Sequence, residues 1–194
     1  MYHTVVICDF DDTIAYSKIG DTEPCEQLQQ QKSSATDLIR QLVECKQKHS
    51  LKLVIMTNAE AGWVEICCNM YYPTIAPYLS HFEIISARSQ YETFFPDNPF
   101  MWKYSACQAL ITKECKQVIC MGDQDTDRAA VRSACESCSS IVQCCKSIKL
   151  KDRPSLYELI AQQNYLREHW PVIVAHNQPL DVQINIPVLT HHVT

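Results

Sequence analysis

Two aspartates, Asp9 and Asp11, stand directly after a short apolar run near the start of this 194-residue chain. The run Thr4–Cys8 is rich in β-branched residues and predicts a β-strand. Side chains two positions apart in extended backbone point the same way, so the two carboxylates start on one face. One carboxylate can attack phosphorus as a nucleophile, and the other can protonate the leaving oxygen and then deprotonate water. An acidic pair alone is also typical of a solvated turn.

Three further groups of polar residues follow in an order that supports a phosphate site. Thr57 and Asn58 end a second apolar run, where a hydroxyl and free backbone N–H groups suit phosphate oxygens. Lys103 stands near the start of a predicted helix and could neutralise phosphate charge. Asp123 and Asp127 follow a later run, and carboxylates four residues apart meet on one face of a helix start. Singly, the hydroxyl is typical of a helix cap and the lysine of a solvated surface.

The elements that must position these residues alternate between strand and helix patterns. The strand-like runs are 5–8, 51–56, 82–86, 117–121 and 140–144. Four of them are almost continuously apolar, as expected of strands that are buried on both faces. Later helical patterns cover 60–70, 98–114, 126–135 and 154–170. The alternation predicts a doubly wound α/β fold with a mainly parallel five-stranded sheet and helices on both faces.

Two predicted helices begin with capping residues. Ser34 and Asp37 form a capping-box pattern ahead of apolar residues at helical spacing, which predicts that the first helix begins near residue 34. Asn98 followed by Pro99 predicts the start of the helix that carries Lys103.

Residues 171–194 follow a different pattern, so we divide the chain into a main domain, 1–170, and a C-terminal extension, 171–194, without an assigned role. In this extension Val182, Ile184 and Ile186 alternate with polar residues, which predicts a short half-buried strand. Pro187 would suit the edge of a sheet. A linker is the alternative.

Composition disfavours several classes of function. No apolar run approaches the roughly 20 residues that a membrane span needs. The net charge is −5 and there is no long basic run, which argues against a nucleic-acid surface. The chain enters a strand pattern at once, without the basic segment that opens a secretory signal peptide.

The chain has 12 cysteines, several of them in apolar stretches. Adjacent cysteine pairs suit a disulfide scaffold poorly, so free thiols in a reducing, cytoplasmic compartment are predicted. Cys135, Cys138, Cys144 and Cys145 could form a four-thiolate zinc site. The alternative for these four is a helix end and a buried strand.

Together the polar groups resemble the haloacid dehalogenase-like (HAD) superfamily. Its four motifs are DxDx[TV], a strand ending in [ST]N, a lysine, and GDxxxD, and the matching positions here are 9–13, 57–58, 103 and 122–127. The second aspartate of the first motif matters, because dehalogenases of the superfamily lack it and the transport ATPases carry threonine there. Its presence implies phosphatase or phosphotransferase activity.

By this resemblance, Asp9 would be the nucleophile and Asp11 the general acid/base, with Thr13 orienting the loop that carries Asp11. The ligands of Mg²⁺ would be the Asp9 carboxylate, the Asp11 backbone carbonyl and Asp123, with Asp127 in support. The phosphate would be held by Thr57, the Asn58 N–H and Lys103. The implied reaction is Mg²⁺-dependent hydrolysis of a phosphomonoester through an aspartyl-phosphate intermediate.

The substrate class follows from the lengths of two gaps. In this superfamily, cap domains that close over small molecules enter after the first strand, or between the third strand and the lysine. Here the gaps from Thr13 to Leu51 and from Ser86 to Lys103 are too short for a large folded cap. An open site suits a phosphate that projects from a macromolecule, so we predict a capless phosphatase that acts on a phosphoprotein.

Aromatic residues near the expected site favour phosphotyrosine. Trp63, Tyr71, Tyr72 and the segment 91–96 could stack on its ring, or could belong to the core. The pattern resembles capless superfamily members that act on phosphotyrosine, including effector phosphatases of intracellular bacteria. Delivery into a host cell is therefore a further hypothesis.

There are three alternative functions. The main one is a small-metabolite phosphatase of the same superfamily that acts on sugar phosphates or nucleotides. A catalytically inactive phosphate-binding module is disfavoured by the intact set of aspartates and lysine. A receiver-type signalling domain is disfavoured because its phosphoacceptor lies on a middle strand and its lysine follows the last strand. The sequence predicts no oligomeric state.

Overall fold

One parallel sheet of six strands forms the centre of the computed structural model, which describes residues 3–22 and 24–186. The strands are β1 (Thr4–Cys8), β2 (Leu51–Thr57), β3 (Phe82–Ser86), β4 (Gln117–Gly122), β5 (Cys144–Lys149) and β6 (Leu180–Gln183). Their order across the sheet is β3-β2-β1-β4-β5-β6, and every neighbouring pair is parallel.

Helices cover both faces of this sheet. They are α1 (Glu26–His49), α2 (Trp63–Tyr71), α3 (Ala87–Tyr91), α4 (Pro99–Leu110), α5 (Asp125–Ser137) and α6 (Leu156–Ala175). Because successive side chains of a strand point to opposite faces, Val6 of β1 packs with α1, α2 and α6, whereas Val5 packs with α4 and α5. The predicted doubly wound α/β fold is confirmed.

The two positions at which a cap could enter hold only short segments. The 3₁₀ helix Ile19–Asp21 lies between β1 and α1, and α3 lies between β3 and α4. The long helix α1 packs on α6 and on the sheet rather than over the site. The absence of a large cap, as predicted, therefore holds for the described residues.

The prediction of five strands is wrong by one. β6 pairs with β5 over four positions. Leu180 of β6 lies opposite Lys146 of β5 at one end, and Gln183 lies opposite Lys149 at the other. β6 overlaps the alternating pattern of the C-terminal extension only at Val182 and ends at Gln183, before Ile184 and Ile186. α6 likewise continues beyond residue 170, to Ala175. Met1, Tyr2 and residues 23 and 187–194, among them Pro187 of the predicted edge, lie outside the described residues.

The fifth strand also lies later than predicted, at Cys144–Lys149 instead of 140–144. Residues 138–142 turn after α5, where the N–H groups of Ile141 and Val142 both donate to the Cys138 carbonyl. Lys146 and Lys149 of this strand are buried and donate to backbone carbonyls. Because lysine is polar, the segment does not form a continuous apolar run, and the sequence pattern did not predict a strand there.

Two helix starts test the capping predictions. α1 begins at Glu26, not near residue 34, and Ser34 is buried inside the helix. Leu28 and Gln31 are buried ahead of it, so packing against the rest of the molecule extends the helix beyond the sequence pattern. The Asn98 cap of α4 is confirmed, because its side chain accepts a hydrogen bond from the Met101 N–H at 3.1 Å. α4 ends at Leu110, four residues earlier than predicted.

All 12 cysteines are free, as predicted. Within residues 3–22 and 24–186, Cys135, Cys138, Cys144 and Cys145 do not gather their sulfur atoms as a zinc site would require. Over the same residues, no helix combines the length and the apolar character of a membrane span.

Candidate active site

The predicted site residues meet where the strand order reverses, between β1 and β4. In an open α/β sheet the crevice at the carboxyl ends of such strands is the usual ligand site. Asp9 follows β1 and Asp123 follows β4, and the Asp9 N–H donates to the Met121 carbonyl at 2.9 Å. The parallel register therefore brings together two acidic residues that are more than 100 positions apart in the chain.

Asp9, Asp123 and Asp127 form a buried cluster in which one carboxylate oxygen of each lies within 4.8 Å of the others. The Lys103 Nζ lies 2.5 Å from Asp9 Oδ1 and 2.7 Å from Asp127 Oδ1. Three ionised carboxylates and one ammonium leave a net negative charge in a buried place, which is unfavourable unless a cation balances it.

A divalent cation fits this cluster. Asp127 Oδ2 is buried and has no hydrogen-bond partner among the described residues, so it is free to act as a ligand. The donors are all oxygens, which is the ligand type that Mg²⁺ prefers. Asp9, Asp123 and Asp127 could therefore hold a metal ion, as predicted, and Mg²⁺ as its identity stays a prediction.

The pKa values in the cluster reflect burial and crowding. Burial, followed by the charges of Asp127 and Asp123, raises the Asp9 pKa well above its usual range, although Lys103 opposes the change. Burial likewise raises the pKa of Asp123 to about 6. For Lys103, burial acts to lower the pKa, but its two carboxylate partners raise it above its ordinary value. A bound cation would favour the ionised carboxylates.

The Asp11 carboxylate lies outside this cluster and is held by two other side chains. The Trp63 Nε1 donates to Asp11 Oδ1 at 3.1 Å, and the Thr57 hydroxyl donates to Oδ2 at 3.3 Å. Burial raises the Asp11 pKa against these two hydrogen bonds, which suits a group that must carry a proton. The predicted metal contact of Asp11 through its backbone carbonyl stays a prediction.

Two of the predicted phosphate-binding residues, Thr57 and Lys103, contact Asp11 and Asp9 respectively. Thr57 contacts Asp11, and its hydroxyl oxygen also accepts from the Ala59 N–H at 3.0 Å. Asn58 follows Thr57, and its buried Oδ1 has no hydrogen-bond partner within the described part of the chain. Lys103 is bound to Asp9, so a lysine from a helix and a threonine from a strand end flank one site.

Asp12, the third aspartate of the first motif, has a structural role that sequence reasoning missed. Its backbone is left-handed, with φ of 55°, a conformation that short polar side chains tolerate better than most. Its carboxylate accepts from both the N–H and the hydroxyl of Ser17, each at 2.9 Å. The Thr13 hydroxyl donates to Asp9 Oδ2 at 3.4 Å, and its role in orienting the loop that carries Asp11 stays a prediction.

Two buried glutamines also hold this loop. Gln31 of α1 and Gln163 of α6 both donate to the Ile14 carbonyl, at 3.1 and 2.9 Å, and Gln163 also donates to the Thr13 carbonyl. The Tyr72 hydroxyl donates to Gln31 at 2.7 Å. Tyr72 is therefore a fully buried support of the loop, and the hypothesis that it meets the substrate is wrong.

Lys149 is a further buried residue of the site that the sequence pattern did not indicate. It lies at the end of β5, and its ammonium donates to the backbone carbonyls of Asp123 and Leu150. These contacts fix the loop that presents the Asp123 carboxylate.

The remaining aromatic residues differ in exposure. Tyr91 and Phe95 are half-buried against the core that contains α4. Phe94 is 72% exposed, on the turn after α3. Trp63 is half-buried and donates to Asp11, so it is the best placed of these residues to meet a substrate.

Gly122 allows the carboxylates to approach, and we expect Gly122→Ala to disturb the site. A Cβ atom there would lie 2.9 Å from Asp127 Oδ2 and 3.2 Å from the Asp9 Cβ, which is closer than ordinary contact. The free energy of unfolding should fall by about 1–3 kcal/mol, measured by urea denaturation, and the thermal shift caused by Mg²⁺ should shrink.

Gly20→Ala is the matched control, because its Cβ would meet only the Tyr71 side chain, with the hydroxyl at an ordinary 3.4 Å. Equal stability and equal Mg²⁺ response of the two variants would contradict the crowding described for Gly122.

Comparison with known proteins gives the fold. No protein-family profile matches this chain, and no curated protein matches its sequence. A crystal structure of the Legionella pneumophila effector Ceg4 with an N-terminal yeast Hog1p sequence aligns with a TM-score of 0.52 at 13% identity, over 87% of this chain and 95% of that chain. A second crystal structure of Ceg4, with an N-terminal TEV protease cleavage sequence, aligns with a TM-score of 0.51 at 14% identity, over 88% of this chain and 96% of that chain. At this identity the likeness shows the fold alone.

Proposed function

We propose that this protein is a Mg²⁺-dependent phosphomonoester hydrolase of the HAD-like type, acting through an aspartyl-phosphate on Asp9. The observation that carries the proposal is that Asp9 belongs to the carboxylate cluster and contacts Lys103, whereas Asp11, two residues away, is held by Trp63 and Thr57. A nucleophile and an acid/base in different surroundings are what a two-step phosphoryl transfer needs.

The first step forms the intermediate. A carboxylate oxygen of Asp9 attacks phosphorus, the bond from phosphorus to the ester oxygen breaks, and protonated Asp11 gives its proton to that leaving oxygen. Lys103 orients Asp9 and offsets negative charge. When bound, Mg²⁺ would supply the positive charge that lets a carboxylate and a phosphate approach each other.

The second step regenerates the enzyme. Asp11, now ionised, takes a proton from water, and the resulting hydroxide oxygen attacks phosphorus. The bond from phosphorus to Asp9 breaks, which releases inorganic phosphate and restores the Asp9 carboxylate. The Trp63 and Thr57 hydrogen bonds keep Asp11 away from Lys103, so that it can exchange protons with the substrate and water.

The proposed substrate is a phosphoprotein, with phosphotyrosine preferred. Only short segments occupy the positions where a cap would enter, so a phosphorylated side chain on a large protein could reach the site. Trp63, which donates to Asp11, offers aromatic surface at the site. The aligned Legionella protein is an effector. We extend that role to this chain as action in the reducing interior of a host cell, which its free thiols fit.

A substrate panel tests this proposal. Phosphotyrosine and phosphoserine peptides, sugar phosphates and nucleotides are each assayed for phosphate release with Mg²⁺ and with EDTA. We expect Mg²⁺-dependent release, fastest from phosphotyrosine peptides and abolished by EDTA. A clear preference for phosphoserine would overturn the choice of phosphotyrosine. Activity confined to metabolites would favour the small-metabolite alternative, and no release from any substrate would favour an inactive module.

A further inference from the structure

One face of α2 carries apolar side chains that are half-buried or exposed. Trp63, Ile66 and Met70 follow a spacing of three and then four residues, which places them along one stripe of the helix. Ile66 is 54% exposed and Met70 is 65% exposed, and the core contacts of α2 come instead from Val64 and two cysteines. We call the three residues Trp63, Ile66 and Met70 the α2 stripe.

The α2 stripe is continuous with the proposed active site. Its first member, Trp63, donates a hydrogen bond from Nε1 to the carboxylate of Asp11 at 3.1 Å. Met70 lies seven residues further along the helix, which is about 10 Å at the α-helical rise. An extended peptide covers that distance with about three residues. A peptide whose phosphorylated residue meets Asp11 would therefore reach Met70 about three positions away.

We propose that the α2 stripe is the docking surface for the phosphoprotein segment next to the phosphorylated residue, and that it binds an apolar side chain about three positions from it. The inference rests on the proposed function and names a feature of the substrate. Exposed apolar surface that adjoins a site is typical of a region that a partner covers.

Charge beside the stripe favours a basic segment. Glu60 is exposed at the Trp63 end of the stripe, where its backbone carbonyl accepts from the Trp63 N–H, and it forms no ion pair with any residue that the structure describes. α2 itself contains no lysine or arginine. A lysine or arginine close to the phosphorylated residue should therefore assist binding, whereas an acidic residue there should oppose it.

The test compares a double variant, Ile66→Gln with Met70→Gln, with wild type on three substrates. Glutamine is a good helix former, so the exposed face should change without loss of α2. The substrates are a phosphotyrosine peptide with leucine three positions away on both sides, the same peptide with glutamine there, and p-nitrophenyl phosphate. Val172→Gln is the control, because Val172 is an exposed apolar residue of α6.

We expect kcat/KM of the double variant for the leucine peptide to fall about 10-fold, through KM. Values for the glutamine peptide and p-nitrophenyl phosphate should stay close to those of wild type, and Val172→Gln should change none of them. Equal use of both peptides by wild type, or an equal loss on all three substrates, would overturn the inference.

A failure of the proposed function can be distinguished from a failure of the docking surface, because wild type would then release no phosphate from p-nitrophenyl phosphate. Binding of the fluorescent leucine peptide, followed by anisotropy, tests the surface in either case. Weaker binding by the double variant supports the α2 stripe as a docking surface, and unchanged binding overturns it.

Discussion

Replacing Asp9 with asparagine should abolish phosphate release while the fold survives. Asparagine has nearly the same shape but a far weaker nucleophilic oxygen, so no aspartyl-phosphate can form. We expect kcat to fall at least about 10³-fold. Lys103 keeps its contact with Asp127, so the buried ammonium is not left without a carboxylate partner. Steady-state phosphate release and circular dichroism measure the two outcomes.

Asp21→Asn is the matched control for this variant, because Asp21 is an exposed aspartate on the short 3₁₀ helix after β1. It should retain wild-type activity. Full activity of Asp9→Asn would show that the nucleophile is assigned to the wrong residue.

Replacing Lys103 with methionine should have the largest effect on stability. The change removes the ammonium that lies between Asp9 and Asp127 and leaves buried carboxylates without a partner. Removing one member of a buried ion pair costs about 3–5 kcal/mol of unfolding free energy. Urea denaturation in EDTA measures this loss, and added Mg²⁺ should restore part of it by binding the same carboxylates.

The loss should also depend on pH in a defined direction. Burial raises the Asp9 pKa, and raises the Asp123 pKa to about 6, whereas Lys103 lowers both; without Lys103 the folded variant therefore binds protons at a higher pH than folded wild type. Lowering the pH through about 6 should therefore shrink the deficit of Lys103→Met. Lys113→Met, at an exposed position, should stay within about 0.5 kcal/mol of wild type. A Lys103→Met protein as stable as this control, at neutral pH without metal, would contradict the described cluster.

The site could be predicted from sequence because its residues follow strand ends. Asp9, Thr57 and Asp123 each stand at or directly after an apolar run, and parallel strands bring their carboxyl ends to one edge. Lys103 could be placed because Asn98 and Pro99 fix the start of its helix. In these cases the local pattern and the fold agree.

Residues whose role depends on packing between distant elements could not be predicted. Gln31 stands among other glutamines, and only the packing of α1 on α6 distinguishes it as a buried support of the site loop. Lys149 reads as an exposed residue because lysine is rarely buried. Its backbone-carbonyl partners become visible only when β5 joins the sheet. The misplaced fifth strand and the early start of α1 have the same cause.

Mass spectrometry of the phosphorylated enzyme tests the central claim most directly. Wild type and Asp9→Asn are mixed with p-nitrophenyl phosphate and Mg²⁺, quenched in acid within the first turnovers, and digested. We predict a phosphoryl group on the wild-type peptide that contains Asp9, removable by hydroxylamine, and none on that peptide in the variant or when EDTA replaces Mg²⁺. A phosphoryl group on another residue, or a labelled Asp9→Asn protein, would contradict the account.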